Sequence, residues 1–364
     1  MAFEKPPVII DTGSYTIKAG FACDNHPVAI FRTAVGRPSY LNGSYGKEPY
    51  DVYVGNEATE QGEDLEISYP VVKGRIVHWD NIERILHHIL YRELKVAPED
   101  RAIMLSLAAS TPMSEKFRCC EIIFETLNCI GLCIQSQGVL TMYGSGYTTG
   151  ICVDMGYDKV DISPVYEGGL IAYAQTTTGI PSLGLHDYVR RLLEERNINI
   201  TSQRVLRDLK KNAYITRNAA FNRKTGTKTF TLPDGEVIDI SNEAFMAGEV
   251  LFQPELAAPD WDVLSIPKAV QKAAEMCDPD LRSELLDGVV PCGGMSMIPG
   301  LCPRLKQDLE VLTNEVVNVY SSDEAYALSW LGGATFAGMP DPKIWVTKRQ
   351  YEDFGEKIVK NKFT

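Results

Sequence analysis

The chain has 364 residues, with 36 Lys+Arg against 48 Asp+Glu and a formal net charge of −12. Hydrophobic residues make up 45% and charged residues 23%, which excludes a mainly disordered chain and gives length for two or three domains or one large bilobed unit. The longest apolar runs fall far short of the ~20 residues of a membrane helix, the start Met1-Ala-Phe-Glu-Lys-Pro-Pro7 has no apolar signal core, and the acidic balance opposes binding to a phosphate backbone.

The nine cysteines (Cys23, Cys119, Cys120, Cys129, Cys133, Cys152, Cys277, Cys292 and Cys302) are odd in number and scattered, so they read as reduced thiols of a cytosolic or nuclear protein. Cys129 and Cys133 lie near Cys120, but no CxxC pair exists and the segment reads as buried helix and strand, so zinc is the less favoured reading.

In chain order, Val8–Ile10 reads as a first strand opening into Asp11-Thr-Gly-Ser14, followed by β-rich Thr16–Phe21 and Val28–Phe31. Residues 36–55, rich in Gly, Pro, Asn, Ser and Tyr, read as a mobile surface loop. A helix begins at Asp80, which is placed to cap it with Glu83 as reciprocal partner, and Ile82, Ile85, Leu86, Ile89 and Leu90 form its apolar stripe. Ala102–Leu107 reads as a buried strand, Ser114–Leu127 as a helix and Leu132–Ile134 as a strand. Ile151–Asp154 is again an apolar strand ending in Asp, then Gly156, then a strand Val160–Val165. Val289–Cys292 leads into Gly293-Gly294 and a helix from Leu301, and Glu324–Phe336 reads as a helix broken by Gly332-Gly333. Strands alternating with helices make the fold α/β, in two related lobes that each open with a hairpin carrying Asp and Gly.

Two chemistries use an Asp-x-Gly turn from each of two lobes. Aspartic proteolysis shares one proton between two carboxylates, and Ile9-Ile-Asp-Thr-Gly-Ser14 matches its first signature. The second half supplies Asp154-Met155-Gly156, without the hydroxyl that signature needs, so this reading ranks behind. The other chemistry is phosphate binding, in which glycine turns expose amides to an anion and the aspartates face a Mg²⁺ ion through water. Ser14 then donates to a terminal phosphate, Lys18 adds positive charge and Gln137 orients an attacking water.

The chain resembles actin and the actin-related proteins over nearly its whole length. The marks are Ile10–Phe21, Val35-Gly-Arg-Pro38, Tyr53-Val-Gly55, Tyr69-Pro70, Trp79-Asp80, Phe124-Glu-Thr126, Tyr143–Gly150 and Val165-Tyr-Glu-Gly168. Leu232-Pro-Asp-Gly235, Leu251-Phe-Gln-Pro254, Gly293-Gly294, Trp330-Leu-Gly-Gly333 and Ile344–Lys348 continue them. The resemblance implies the bilobed fold shared with sugar kinases and heat-shock chaperones, with ATP or ADP and Mg²⁺ (or Ca²⁺) in a central cleft. It implies a first lobe of residues 1–144 and 330–364, with a small outer subdomain near 33–69, and a second lobe of 145–329, with an outer subdomain near 181–263.

Carried over by position, Asp11, Gly13, Ser14, Lys18, Gln137, Asp154 and Gly156 match the family's phosphate, metal and water-positioning residues, with Asp11 and Asp154 meeting the metal through water. Tyr15, Tyr157, Lys210, Gly294 and Tyr326 complete the expected nucleotide contacts. The departures are informative. Asp161 stands where the resemblance places a water-organising His, and it could repel the nucleotide or act as a base; Met155 stands for Ser, Tyr157 for a ribose-holding Asp, Ser182 for Gly, Lys211 for a ribose-binding Glu, Ile298 for Tyr and Tyr326 for Lys. Each lost buried hydrogen bond costs ~1 kcal/mol, so weakened or altered ATP binding and slow or absent hydrolysis are expected.

The polymer surfaces diverge too. The loop Ser39–Asp51 is more polar than the family's docking loop, and Ala257–Asp262 departs from the strand-crossing pattern; Lys73 replaces His, and the acidic N-terminal cluster is missing. Tyr143, Gly146, Thr148, Gly168, Leu331, Phe336, Met339 and Ile344 fall where the family builds its partner-binding cleft, although about half could equally be core. These features favour a scaffolding subunit of a cytoskeletal or other assembly, at most a weak ATPase, with other subunits, actin or actin-like chains among them, as partners. A filament-forming ATP-hydrolysing actin is the alternative, and a small-molecule kinase of the same superfold ranks third. The cytoplasm and cytoskeleton are the expected location, with the nucleus left open.

Overall fold

A computed structural model describes residues 3–38, 51–61, 65–178, 180–216, 227–257, 263–339 and 341–363. Two compact units emerge, unit 1 from Met1–Gly146 with Ala327–Thr364, and unit 2 from Tyr147–Tyr326. The strands used below are β1 (Val8–Thr12), β2 (Thr16–Phe21), β3 (Ala29–Arg32), β4 (Ala102–Leu107), β5 (Gly131–Ser136), β6 (Gly150–Met155), β7 (Val160–Tyr166), β8 (Val289–Cys292) and β9 (Val346–Thr347). The helices are α1 (Gln137–Ser145), α2 (Ser182–Glu194), α3 (Gln203–Lys210) and α4 (Leu328–Ala337).

Unit 1 centres on a six-stranded sheet in the order β9-β5-β4-β1-β2-β3. β1, β4 and β5 run parallel, while β2 folds back antiparallel on β1. β1 and β4 are buried along their full length, as expected of central strands covered on both faces. In unit 2 the sheet order is Gly169–Leu170, β7, β6, β8, with β7 antiparallel and β8 parallel to β6. The trios β2-β1-β4 and β7-β6-β8 therefore share one topology, the internal repeat expected from the sequence. Each places its chemistry at the carboxyl ends of parallel strands, where α/β sheets present ligand-facing residues.

Local expectations were revised in three places. The helix credited to an Asp80 cap runs Trp79–His87 and begins after His78, with no side-chain cap. Asp80 lies in its first turn, where a carboxylate favours the helix dipole without capping it. Both ends of residues 36–55, read as loop, are strand: Val35–Pro38 pairs with Tyr53–Val54 and with Leu65–Ser68. Residues 39–50 and 258–262, which hold most of the two divergent polymer loops, lie outside the described residues.

The third revision concerns Gly332-Gly333, which sit inside an unbroken α4. A Cβ on Gly332 would lie 1.6 Å from the Leu140 carbonyl oxygen, and one on Gly144 would lie 2.3 Å from that of Leu328. α1 and α4 thus touch backbone to backbone, and tertiary packing overrides the low helix propensity of glycine.

All nine cysteines are free. Burial pushes the Cys120 and Cys129 thiols up to about 12, so they are inert at neutral pH. Among the described residues no helix is long and apolar enough to cross a membrane.

Candidate functional site

In unit 1, antiparallel register sets Asp11 opposite Lys18, and the parallel β1–β4 pairing brings Ser106 alongside. The Asp11 carboxylate is 4% exposed and accepts four hydrogen bonds. Lys18 Nζ donates to Oδ2 at 2.9 Å; Ser106 Oγ, Gln137 Nε2 and Ser329 Oγ donate to Oδ1 at 2.9, 3.1 and 3.1 Å. Burial alone would raise the Asp11 pKa, but the Lys18 charge and hydrogen bond, with those from Gln137 and Ser106, outweigh it and hold the group below its ordinary value. Asp11 is ionised.

The turn after β1 is tight. Gly13 N–H donates to Thr16 O at 3.2 Å, and a Cβ at Gly13 would approach that oxygen to 2.7 Å, so the turn admits only glycine there. Thr33 Oγ1 donates to Gly13 O at 2.6 Å. Gln137 opens α1, whose Ser136 cap accepts from Val139 N–H at 3.3 Å, and Gln137 Nε2 also donates to Thr12 O at 3.1 Å. Ser14 Oγ accepts from Gly74 N–H at 3.4 Å, and the Arg32 guanidinium lies 3.3 Å from the centre of the Tyr15 ring.

In unit 2 the second turn has the same form, Gly156 N–H donating to Lys159 O at 3.0 Å. Asp154 pairs directly with Asp161 across β6 and β7, which puts two carboxylates on one sheet face. Like charges so placed destabilise a sheet unless one is compensated. Compensation comes to Asp161, 5% exposed, from the Lys159 ammonium at Oδ2 and from Thr177 Oγ1 at 2.7 Å to Oδ1. Gly293 has φ +83°, and a Cβ there would meet Asp154 Oδ1 at 2.9 Å, so the Gly-Gly junction after β8 packs against the Asp154 carboxylate. Gly293 N–H donates to Ala325 O at 3.0 Å, which sets Gly293-Gly294 beside Tyr326, a residue 39% exposed.

The start of α2 is fastened to this turn, because Ser182 N–H donates to Gly156 O at 3.3 Å and Leu183 N–H to Tyr157 O at 2.8 Å. Lys210 Nζ, from the end of α3, donates to Ser182 Oγ. One helical turn on, His186 is 2% exposed, with its ring 6.1 Å from that of Tyr157. Burial first, then the Lys210, Arg207 and Arg190 charges, push its pKa from 6.5 down to about 4. The unfolded chain therefore binds an extra proton between those values. Stability from this group is whole above about pH 6.5 and is lost as pH falls towards about 4. Denaturant titrations across this window are expected to show a shallower fall in His186→Phe than in the parent; equal slopes would contradict the assignment.

Each unit thus gathers its own set: Asp11, Gly13, Ser14, Tyr15, Lys18 and Gln137 in one, and Asp154, Gly156, Tyr157, Asp161, Lys210, Gly294 and Tyr326 in the other. Ser106, Ser329, Lys159, Thr177 and His186 escaped sequence reasoning. Ser106 is the one polar residue in an apolar strand, and Lys159 lies two positions from Asp161, a same-face spacing; these were the available signals. Taken unit by unit, the side chains are of the kinds that nucleotides and hydrated divalent cations use: the ionised Asp11 carboxylate and the Lys18 ammonium in unit 1, and the Asp154 carboxylate in unit 2. Such a cation would neutralise phosphate charge.

Of the expected partner-facing residues, Tyr143, Leu331, Met339 and Ile344 are half-buried against the core that holds Trp330 and Trp345. Phe336 is buried in that core, its ring 5.2 Å from Tyr143. Thr148, in unit 2, is exposed and accepts from Gly168 N–H at 2.7 Å.

A family model described as Actin matches residues 3–219 and 200–364. A protein of Dictyostelium discoideum named "Putative actin-29" is 32% identical over 375 residues, covering 98% of this chain and 96% of that protein. With the duplicated strand topology and an Asp-x-Gly turn in each repeat, these matches lead to one conclusion: the chain belongs to the actin family.

Proposed function

We propose that this chain is a divergent actin-related protein that serves as a scaffolding subunit of a cytoskeletal or other multiprotein assembly in the cytoplasm. In this reading it binds ATP or ADP with Mg²⁺ or Ca²⁺ through both Asp-x-Gly turns and hydrolyses ATP slowly or not at all. Ser14 and Lys18 face the phosphates, while Asp11 and Asp154 meet the cation through water. Tyr15, Tyr157, Lys210, Gly294 and Tyr326 border the nucleoside. Tyr143, Leu331 and Ile344 of unit 1 and Thr148 of unit 2 face partner chains, actin or actin-like chains among them.

The observation that carries the slow-hydrolysis reading is the engagement of Asp161. Both of its oxygens are taken, by Lys159 and Thr177. A carboxylate held by Lys159 and Thr177 is fixed in place by them rather than aimed at an attacking water. The Gln137 amide nitrogen is likewise committed to Asp11 and Thr12 O.

The test is to isolate the native protein, identify the chains that accompany it, read its nucleotide after acid release and time phosphate release. Unlike chains in fixed ratio, bound adenine nucleotide, and phosphate release at least about tenfold slower than a conventional actin run in parallel are expected, a gap of ~1.4 kcal/mol. Pelleting on addition of salt and Mg²⁺ with actin-like phosphate release would replace this reading with that of a filament-forming ATPase.

A further inference from the structure

Away from both turns, unit 1 carries a groove of about 540 Å³. One wall is the helix Trp79–His87 with its π-turn continuation His88–Glu93, and Val52 and Val54 supply the apolar part of the lining. Ile82, Ile85, Leu86, Ile89 and Leu90 of the same stretch are core, so the groove uses the opposite, polar face of the helix. The two ends of that face differ in how their charges are met. At the start, Asp80 and Glu83 act on Arg118, whose hydrogen bond to Glu121 first, and then the charges of Glu121, Glu83 and Asp80, hold it above its ordinary value. Arg84 and Arg92 also line the groove, yet neither forms an ion pair among the described residues. Other arginines of unit 1 are paired, Arg75 with Glu115 at 2.5 Å and Arg118 with Glu121 at 2.7 Å.

An aromatic residue sits beside the unpaired cations. Tyr91 is 51% exposed, and its ring stacks on that of His87 at 5.5 Å and 16°. The stacking holds the ring in place before anything binds, which lowers the ordering cost of using it as a contact. His88 is already engaged, by Glu93 at 2.9 Å and by the edge of Phe31 at 5.3 Å. Exposed Tyr and Arg are the residue types that carry most of the energy in protein interfaces.

We propose that this groove docks an acidic, extended segment of a partner chain, with Arg84 and Arg92 each meeting a carboxylate and Tyr91 as the aromatic anchor. The dimensions agree. From Asp80 to Arg92 the helix advances roughly 18 Å, the length of about five extended residues. Arg84 and Arg92 lie roughly 12 Å apart along the axis, close to the ~13 Å between side chains i and i+4 on one face of an extended segment. An apolar side chain at i+2 of that segment suits the two valines. The span is too long for a single phosphate, and Asp80 and Glu83 in the same groove oppose a polyphosphate such as nucleic acid. The groove stands on unit 1 alone; a partner chain as its occupant rests on the scaffolding role proposed above.

The test uses the full chain and two measurements. In the first, fluorescence polarisation follows a labelled peptide, Gly-Ser-Glu-Ser-Leu-Ser-Glu-Ser-Gly, and a twin with Lys in place of both Glu. The acidic peptide is expected to bind at least about tenfold tighter than the basic one, and Arg84→Glu combined with Arg92→Glu to remove that preference. Arg84→Gln with Arg92→Gln serves the same purpose if the reversed pair fails to fold. In the second, a photo-cross-linker at Tyr91 (Tyr91→benzoylphenylalanine) is activated in the native assembly, and mass spectrometry reads the joined segment. The expected product is a segment of an unlike chain with acidic residues four positions apart. Equal affinities for the two peptides overturn the proposal, as does a cross-link to a second copy of this chain or to a segment without acidic residues. Unlike chains that co-purify without cross-linking at Tyr91 overturn the groove and leave the scaffolding role standing. A chain that prefers the acidic peptide yet purifies alone leaves the groove standing and overturns the scaffolding role.

Discussion

Replacing Gly332 with alanine is expected to destabilise unit 1 by about 3 kcal/mol or more, at the upper end of overpacking costs. The added methyl would lie 1.6 Å from the Leu140 carbonyl oxygen and 2.8 Å from the Gly144 nitrogen. Both obstacles are backbone, so no rotamer change relieves the clash. α4 must move off α1, and the neighbouring Gly333, whose own Cβ would sit 2.8 Å from Ile9, ties that motion to the central strand β1. Denaturant unfolding followed by tryptophan fluorescence checks this, since Trp330 and Trp345 are buried in unit 1. Gly338→Ala is the control, because its methyl would meet only ordinary contacts at 3.4 Å. A Gly332→Ala variant within about 1 kcal/mol of the parent would contradict the backbone contact.

Lys18→Met is expected to cost about 3–5 kcal/mol at neutral pH, the usual result of leaving one member of a buried ion pair uncompensated. Its sharper signature is the pH dependence. In the parent, Asp11 titrates below its unfolded value of 3.8, so its stabilisation is whole above about pH 3.8 and is lost as pH falls through the folded value. Without Lys18, burial becomes the dominant influence, and it raises the Asp11 pKa above the unfolded value. The variant's deficit is then full above that raised value and shrinks as acid protonates Asp11. The two stability curves should converge on acidification, as measured by denaturation at pH 7 and at about pH 5. A constant gap would mean that Ser106, Gln137 and Ser329 satisfy the carboxylate without the lysine.

Much of the fold was legible because its central strands are apolar runs cut off by polar turns. Thr16–Phe21, Ala102–Leu107 and Val289–Cys292 match their sequence-derived limits. Asp11 was legible for the same reason, as a charge at the end of a buried strand. Its partners were not, since Ser106 lies 95 residues away and Ser329 lies 318 away, and no local periodicity encodes the register that joins them. Lys159 drew no reading at all, because charges beside turns are ordinarily solvated. Gly332-Gly333 misled for a related reason: local propensity describes an isolated helix, and α4 is not isolated. His186 drew no reading either, and only its burial without a hydrogen-bond partner among the described residues distinguishes it.

Unit 1 is built from two stretches of chain separated by the whole of unit 2. Its core therefore cannot close during synthesis until the segment carrying Trp330 leaves the ribosome. About 180 residues intervene, which at ~5–20 residues per second means a wait of roughly 10–40 s. Unit 2 has all its sequence only as that interval closes, and throughout it β1 and β4 lack the helix that covers them. The nascent chain thus has an exposed apolar sheet as a fixed stage of its production, and its yield in a cell depends on what shields that sheet until translation ends.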